Sequence, residues 1–357
     1  MVLRMFARRS DEVAYFTTDR ASELEGLRDG PAGWWLRGHG DLEHDDDVAR
    51  VFARTPRASV VGYDIVIAAP RPVSILLALD LEHAPAVIAA HRVSVRAAMD
   101  YLEERALLVR RQRDGEREDV PARWERVVSY THGINRHGEP HLHDHVLVGA
   151  RPLGCDTVLD SRSLSVHATA ADALYRSSLR HELGSRTPWV AWRSFKGLEH
   201  VAGLDEGYRA LWGGHHDSRG TKRAWERRDT VATWQRDRER FQAAGVVEPR
   251  YREGFDWHAY AGAFEGQLNV TRRQVVAAWA NAAVLGQSPR ATTRAIDRHY
   301  PELTRSRGVR EMSIGVVRAR TLELDRELGA PRLRALALEP DPQRDRERSR
   351  SFAERSR

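Results

Sequence analysis

Between Trp124 and Ala150 the sequence reads "WERVVSYTHGINRHGEPHLHDHVLVGA", and no other stretch restricts the fold so strongly. Apolar and polar residues alternate in "WERVVSYTHG" and again in "HLHDHVLVGA". That is the period of a strand, not of a helix. Between them "INRHGEP" carries the Asn, Gly and Pro of a turn. Two alternating runs joined this way form an antiparallel hairpin. We expect the hairpin at the centre of an antiparallel sheet with helices packed on one face, an α/β (α+β) sandwich.

The same hairpin is rich in histidine. Side chains alternate across a strand, so His141, His143 and His145 face one way. His132 ends the preceding strand and can approach the same face. Three neutral imidazoles that converge make a divalent-metal site with open positions, which suits Lewis-acid catalysis better than a structural role. The plainer alternative is a polar, solvated strand face, and the crowding of imidazoles argues against it. On spacing alone His141 counts among the ligands.

Composition narrows the setting. The chain has 357 residues, 41% hydrophobic and 30% charged, enough for one large domain or two ordinary ones. A single cysteine, Cys155, excludes an internal disulfide framework and any multi-cysteine zinc site. There is no membrane-length apolar run and no apolar leader in "MVLRMFARRSDEVAYF", so a reducing, cytoplasmic location is expected. The net charge of +6 leans towards a polyanionic partner. A GC-rich genome gives the same arginine bias, because Lys196 and Lys222 are the only lysines. No GxxxxGK[ST] loop is present, which argues against an ATP-driven motor.

Along the chain, "VLRMFA" reads as a strand, and residues 26–47 as a loop rich in Gly, Pro, Trp and Asp. A second strand, Val60 to Ala68, breaks at Pro70 and Pro72. "HAPAVIAAHRVSVRAAMDYLEERALLVR" has the spacing of one long helix, and "ATAADALYRSSLRHELG" of another, closed by Gly184. "TPWVAWRSF" and "GLEHVAGL" read as short strands. We expect residues 1–223 as the sheet domain, 224–338 as an α-helical C-terminal module, and 339–357 as a disordered Arg-rich tail. In the module, "VTRRQVVAAWANAAVLGQSPRATTRAIDRH" is either a helix-turn-helix or a structural cap; apolar residues at helical spacing favour the cap.

"YTHGINRHGEPHLHDHVLV" resembles the metal-binding signature of HUH endonucleases, in particular the TrwC/TraI-type conjugative relaxases of the MobF class. "GYDIVIAAPRPVSILLAL", "VLDSRSL", "LYRSSLRHEL" and "EHVAGLDEGYRALWGGHH" resemble further segments of that family in order, covering about residues 1–220. The resemblance implies an HUH-type fold and metal-assisted cleavage of single-stranded DNA at a specific site. It assigns the metal to His132, His143 and His145, leaves His141 as their neighbour, and gives Tyr15 in "VAYFTTDR" the role of nucleophile. Asp64 falls at the family's acidic position, to take the tyrosine's proton or to orient a ligating histidine.

By the same resemblance the cofactor is Mg2+ or Mn2+, although an all-imidazole site binds Zn2+ or Ni2+ more tightly. The partner is single-stranded DNA at an origin-of-transfer-like site in a bacterial cytoplasm. No helicase segment follows here, so either a separate helicase unwinds the DNA alongside other conjugation proteins, or the chain is a stand-alone paralogue with a different role. Arg71 and Arg136 are candidates for DNA contact, with Trp34 and Trp35 stacking on bases and Arg28, Arg37, Arg151 and Arg162 tracking phosphates.

Three positions depart from the family pattern. Phe16 replaces a second tyrosine, Arg71-Pro72 replaces a Lys-Ser pair, and Asp144 stands between the two paired histidines, pointing to the other strand face. The alternative reading is a catalytically impaired homologue that binds single-stranded DNA for a mobile element.

Overall fold

In the computed structural model the described residues are 3–9, 34–37, 51–52, 60–79, 84–113, 115–125, 127–135, 139–186, 192–195, 198–201, 255–304, 311–313, 316–317 and 323–324. In chain order the elements are β1 (Leu3–Arg8), β2 (Trp34–Arg37), β3 (Gly62–Ala68), α1 (Arg71–Leu79), α2 (Ala84–Arg105), β4 (Leu108–Arg113), β5 (Glu116–Pro121), β6 (Val127–Ile134) and β7 (Pro140–Gly149). Then come α3 (Ser161–Arg186), β8 (Trp192–Phe195), β9 (Leu198–Val201), α4 (Trp257–Gly262), β10 (Asn269–Thr271), α5 (Arg272–Ala282), α6 (Pro289–His299), α7 (Pro301–Thr304) and β11 (Glu311–Ser313).

The main sheet has the order β1-β3-β7-β6-β2, so the histidine hairpin supplies its central strand and that strand's neighbour. Every pairing is antiparallel. Alternation sends Leu142, Val146 and Val148 to one face, where with Ile65, Ile67 and Leu3 they form the main core. Helices α2 and α3 cover that face. On α2 the buried Val87, Ala90, His91, Ser94, Val95, Ala98, Met99 and Leu102 recur at intervals of three and four, one continuous stripe.

On the opposite face the register lines up rows of side chains. His132, His143 and Ala68 share one row. The next holds Tyr130, His145, Val66 and Arg4, and the one after it Val128, Leu147, Asp64 and Phe6. A second small core of Val51, Phe52, Val61, Val128, Tyr130 and Leu147 covers the lower rows. Gly62 makes this possible: a Cβ there would lie 2.2 Å from the Phe52 ring. The row of His132 and His143 lies beyond that cover.

Several expectations are corrected. The long helix ends at Arg105, and "LVR" instead enters β4, which pairs with β5. The hairpin turn has Gly115 at φ 84, a conformation that suits an Asp-Gly sequence. Helix α3 starts at Ser161 and runs through Gly184 to Arg186. A Cβ at Gly184 would meet nothing within 4 Å, so that glycine weakens the helix without ending it. The interval expected as a Gly/Pro loop contributes strand β2. After Pro70 the chain forms helix α1, with Pro72 in its first turn, where a missing N–H is harmless.

The expected boundary at 223/224, the charged segment around residues 221–245 and the tail from 339 lie outside the described residues. From Phe255 on, the helices form a cap on α3. Val275, Val276 and Trp279 of α5 join the main core. The buried Arg180 of α3 donates to the carbonyls of Ala280 and Ala283 at 2.8 and 3.0 Å, capping the C-terminal end of α5. Gly286, at φ 74, lets the α5–α6 turn close onto Ser177. Among the described residues no helix is long and apolar enough to cross a membrane.

Candidate metal centre

Strand alternation and hairpin register bring three imidazoles together. The candidate ligand nitrogens of His132, His143 and His145 all lie within 4.8 Å of one another. The ring centroids of His132 are 4.8 Å from His143 and 4.9 Å from His145.

The hydrogen bonds fix which nitrogen each of the paired histidines presents. His143 Nδ1 lies 2.8 Å from the carbonyl oxygen of His141, an acceptor, so Nδ1 carries the hydrogen and Nε2 the lone pair. His145 Nδ1 lies 2.9 Å from Asp64 Oδ1, with the same consequence. A carboxylate–histidine pair of this kind orients a ligand and makes it more basic. Asp64 is fully buried and also ion-paired to Arg8. With one partner a guanidinium and the other an imidazole N–H, it is built to orient His145.

Burial, with the neighbouring His141 and His145, holds His143 well below the ordinary imidazole value. A neutral imidazole is the form that binds metal. The donor set therefore fits a divalent cation: three nitrogen ligands, two with fixed tautomers, and a carboxylate behind one of them.

His141 sits beside this set, its ring 4.6 Å from that of His143. Burial, then Arg71 and the nearby His145, His91 and Arg4, push it down to about 4. Arg71 donates to the Pro140 carbonyl at 3.0 Å and to Glu139 Oε2 at 3.1 Å, so its guanidinium braces the start of β7. Glu139 also accepts from Asn135 Nδ2 at 2.7 Å, closing the hairpin turn. Arg151 follows the far end of β7, and the exposed Arg162 begins α3; neither joins the histidines. Trp34 and Trp35 lie on β2, with Trp35 opposite Val128 in register. Tyr15, Phe16, Arg28 and Arg136 lie outside the described residues.

Behind the metal face, Asp144 points the other way, as alternation requires. It is completely buried, with His91 Nε2 at 3.0 Å and the Ser129 hydroxyl donating at 2.6 Å. The Tyr175 hydroxyl is 2.7 Å from the other ring nitrogen of His91. Burial opposes ionisation of Asp144, but its contacts with His91, Ser129 and Thr131 outweigh burial and hold the carboxyl below its ordinary value. Sequence reasoning missed the partners Arg8, Glu139 and His91. Glu139 borders the histidine run and so was within reach; Arg8 and His91 come from strands and helices distant in sequence.

A family model described as TrwC relaxase matches residues 22–239. No curated protein matches. Among solved structures, a metal-bound conjugative relaxase TrwC in complex with oriT DNA is 18% identical, with a TM-score of 0.54, over 69% of this chain and 99% of that one. A metal-free complex of TrwC with oriT DNA gives 0.53 at 18% identity with the same coverage. TrwC with a 27-mer DNA comprising the recognition hairpin and the cleavage site gives 0.52 at 18%, again over 69% and 99%.

Proposed function

The chain belongs to the TrwC relaxase family, and on that footing we propose that it is a metal-dependent strand transferase that nicks single-stranded DNA at a specific site. The observation that carries the reading is the convergence of His132, His143 and His145 within 4.8 Å, with Asp64 behind His145. The solved TrwC complexes, described as holding oriT DNA and in one case metal, support it.

In this reading Tyr15 is the nucleophile. Its phenolic oxygen forms a bond to phosphorus, and the bond from phosphorus to the 3′ oxygen breaks. The 5′ end stays on the tyrosine, while the leaving 3′ oxygen keeps the electron pair and takes up a proton. The phenol proton passes to water. A phenol has an ordinary pKa near 10, so losing that proton is the costly part at neutral pH. His132, His143 and His145 would hold a divalent cation, Mg2+ or Mn2+, which would supply Lewis-acid neutralisation of the phosphate charge. Asp64, ion-paired to Arg8, orients His145. Arg71 and Arg136 meet phosphates near the hairpin turn, Trp34 and Trp35 stack on bases, and Arg151 and Arg162 serve phosphates further along. The physiological partner is single-stranded DNA carrying an origin-of-transfer-like sequence.

Purified protein, Mn2+ and a labelled single-stranded oligonucleotide library test this on a denaturing gel. The expected result is an SDS-stable adduct lost in Tyr15→Phe and in His143→Ala. An adduct that survives in Tyr15→Phe removes that residue from the role. Phe16 in place of a second tyrosine favours the alternative, a binding protein without covalent chemistry. Retained metal and single-strand binding with no adduct would establish it.

A further inference from the structure

We propose that the outer face of β1 is a subsite for single-stranded DNA beside the metal centre, with the Phe6 ring stacking on a base and Arg4 meeting a neighbouring phosphate. The proposal rests on the strand-transfer reading above.

The register puts Phe6 and Arg4 there. Arg4 pairs with Val66, which pairs with His145; Phe6 pairs with Asp64, the partner of that histidine. Arg4 and Phe6 therefore share the sheet face of the metal ligands, two strands away. Two strand spacings are roughly 10 Å, a distance that a flanking nucleotide spans. β1 is an edge strand of the sheet, so this row ends at an open side.

Single exposed apolar residues are ordinary, but this one has a distinct setting. At 43% exposure Phe6 leaves its ring open to solvent. Phe52 and Tyr130, on the same face, are spent in the small core over Gly62 and Leu147. The Arg8 guanidinium carbon lies 5.6 Å from the Phe6 centroid, within cation–π range, and Arg8 is itself tied to Asp64. The ring is thus held by a group that also fixes a metal ligand's orienting carboxylate. Arg4 is exposed on the same strand, and the exposed Arg9 follows its end. An aromatic ring flanked by arginines beside a phosphodiester-cleaving centre fits a single strand, whose bases offer stacking faces; a duplex hides them.

The test measures anisotropy of a labelled oligothymidylate and of a duplex with the full chain and Mn2+, for wild type, Phe6→Leu, Phe6→Trp and Arg4→Ala. Phe6→Leu keeps an apolar side chain and loses the π-face, and is expected to weaken single-strand binding about tenfold. Phe6→Trp is expected to match or exceed wild type. Arg4→Ala is expected to lower the slope of log affinity against log salt by about 0.7. Duplex affinity and Mn2+ binding by electron paramagnetic resonance are expected to be unchanged throughout. Wild-type single-strand affinity in Phe6→Leu overturns the subsite and leaves the strand-transfer reading standing. Equal losses for single strand and duplex also overturn it, since stacking is then not the cause. A wild-type protein that binds neither Mn2+ nor oligothymidylate removes both readings.

Discussion

The two faces of β7 carry the same chemical pair in two settings. On the open face Asp64 holds His145; on the helix face Asp144 holds His91. His145 has one ring nitrogen engaged by carboxylate, and the other belongs to a set that converges with His132 and His143. His91 has both nitrogens engaged, one by Asp144 and one by Tyr175, and is fully buried. An Asp–His pair becomes a candidate ligand only when the second nitrogen is left over and aimed at others of its kind. Otherwise it ties elements together: here Asp144, Ser129, His91 and Tyr175 join β7, β6, α2 and α3.

The largest effect should come from breaking the helix-face pair. Asp144→Ala strands buried polar partners, and removing one member of a buried pair typically costs about 3–5 kcal/mol. Urea unfolding of the metal-free protein checks this. A variant of unchanged stability with weakened metal binding would mean that the two faces do not divide their work as described.

Asp64→Asn should act on the other side of the comparison. Loss of the orienting carboxylate is expected to reduce Mn2+ affinity about 10–100-fold, read by titration. Because Arg8 also loses its ion-pair partner, Arg8→Gln in the same titration separates orientation of His145 from loss of the pair.

Acid sharpens the contrast further. Burial, joined by neighbouring positive groups, holds His141 and His167 near about 4 in the folded chain, against an ordinary value of 6.5. Unfolded imidazoles take up a proton near 6.5, and the folded ones resist until about 4. Protons therefore favour the unfolded state in that window, and stability present above 6.5 is lost as pH falls towards 4. Urea midpoints across the window, with chelator, should show the decline, and His167→Gln should make it shallower. His167, hydrogen-bonded to Tyr101 at 3.0 Å between α2 and α3, makes this a test of the helix side alone.

The smallest effect is a gain. Gly184 lies in an exposed turn of α3 with open space where a Cβ would be. Gly184→Ala should stabilise the protein by about 1 kcal/mol or slightly less, with metal binding unchanged. A loss of stability would show that α3 needs a glycine there.

Much of the site was legible because strand alternation is a local rule. From "HLHDHVLVGA" alone, His143 and His145 share a face and Asp144 takes the other. The hairpin brings His132 alongside His143 because the two pair in register. What misled was also local. Helical spacing ran on past Arg105 because Leu107 and Val109 are as apolar as a helix stripe requires. Only the pairing of Leu108 with Pro121 and of Val109 with Val120 makes that stretch a strand.

The sequence by itself determined the strand period, the turn and the file of imidazoles, since each depends on residues within a few positions. Tertiary structure decided which imidazoles meet. His141 obeys the same alternation as His143 and His145, yet it braces against His143 beside Arg71 while His132 completes the set. It also decided the work of the carboxylates, because Asp64 meets His145, and Asp144 meets His91, only after strands and helices far apart in sequence have packed. Direction along a strand is written in neighbouring residues; the partner a side chain finds depends on the chain returning from elsewhere.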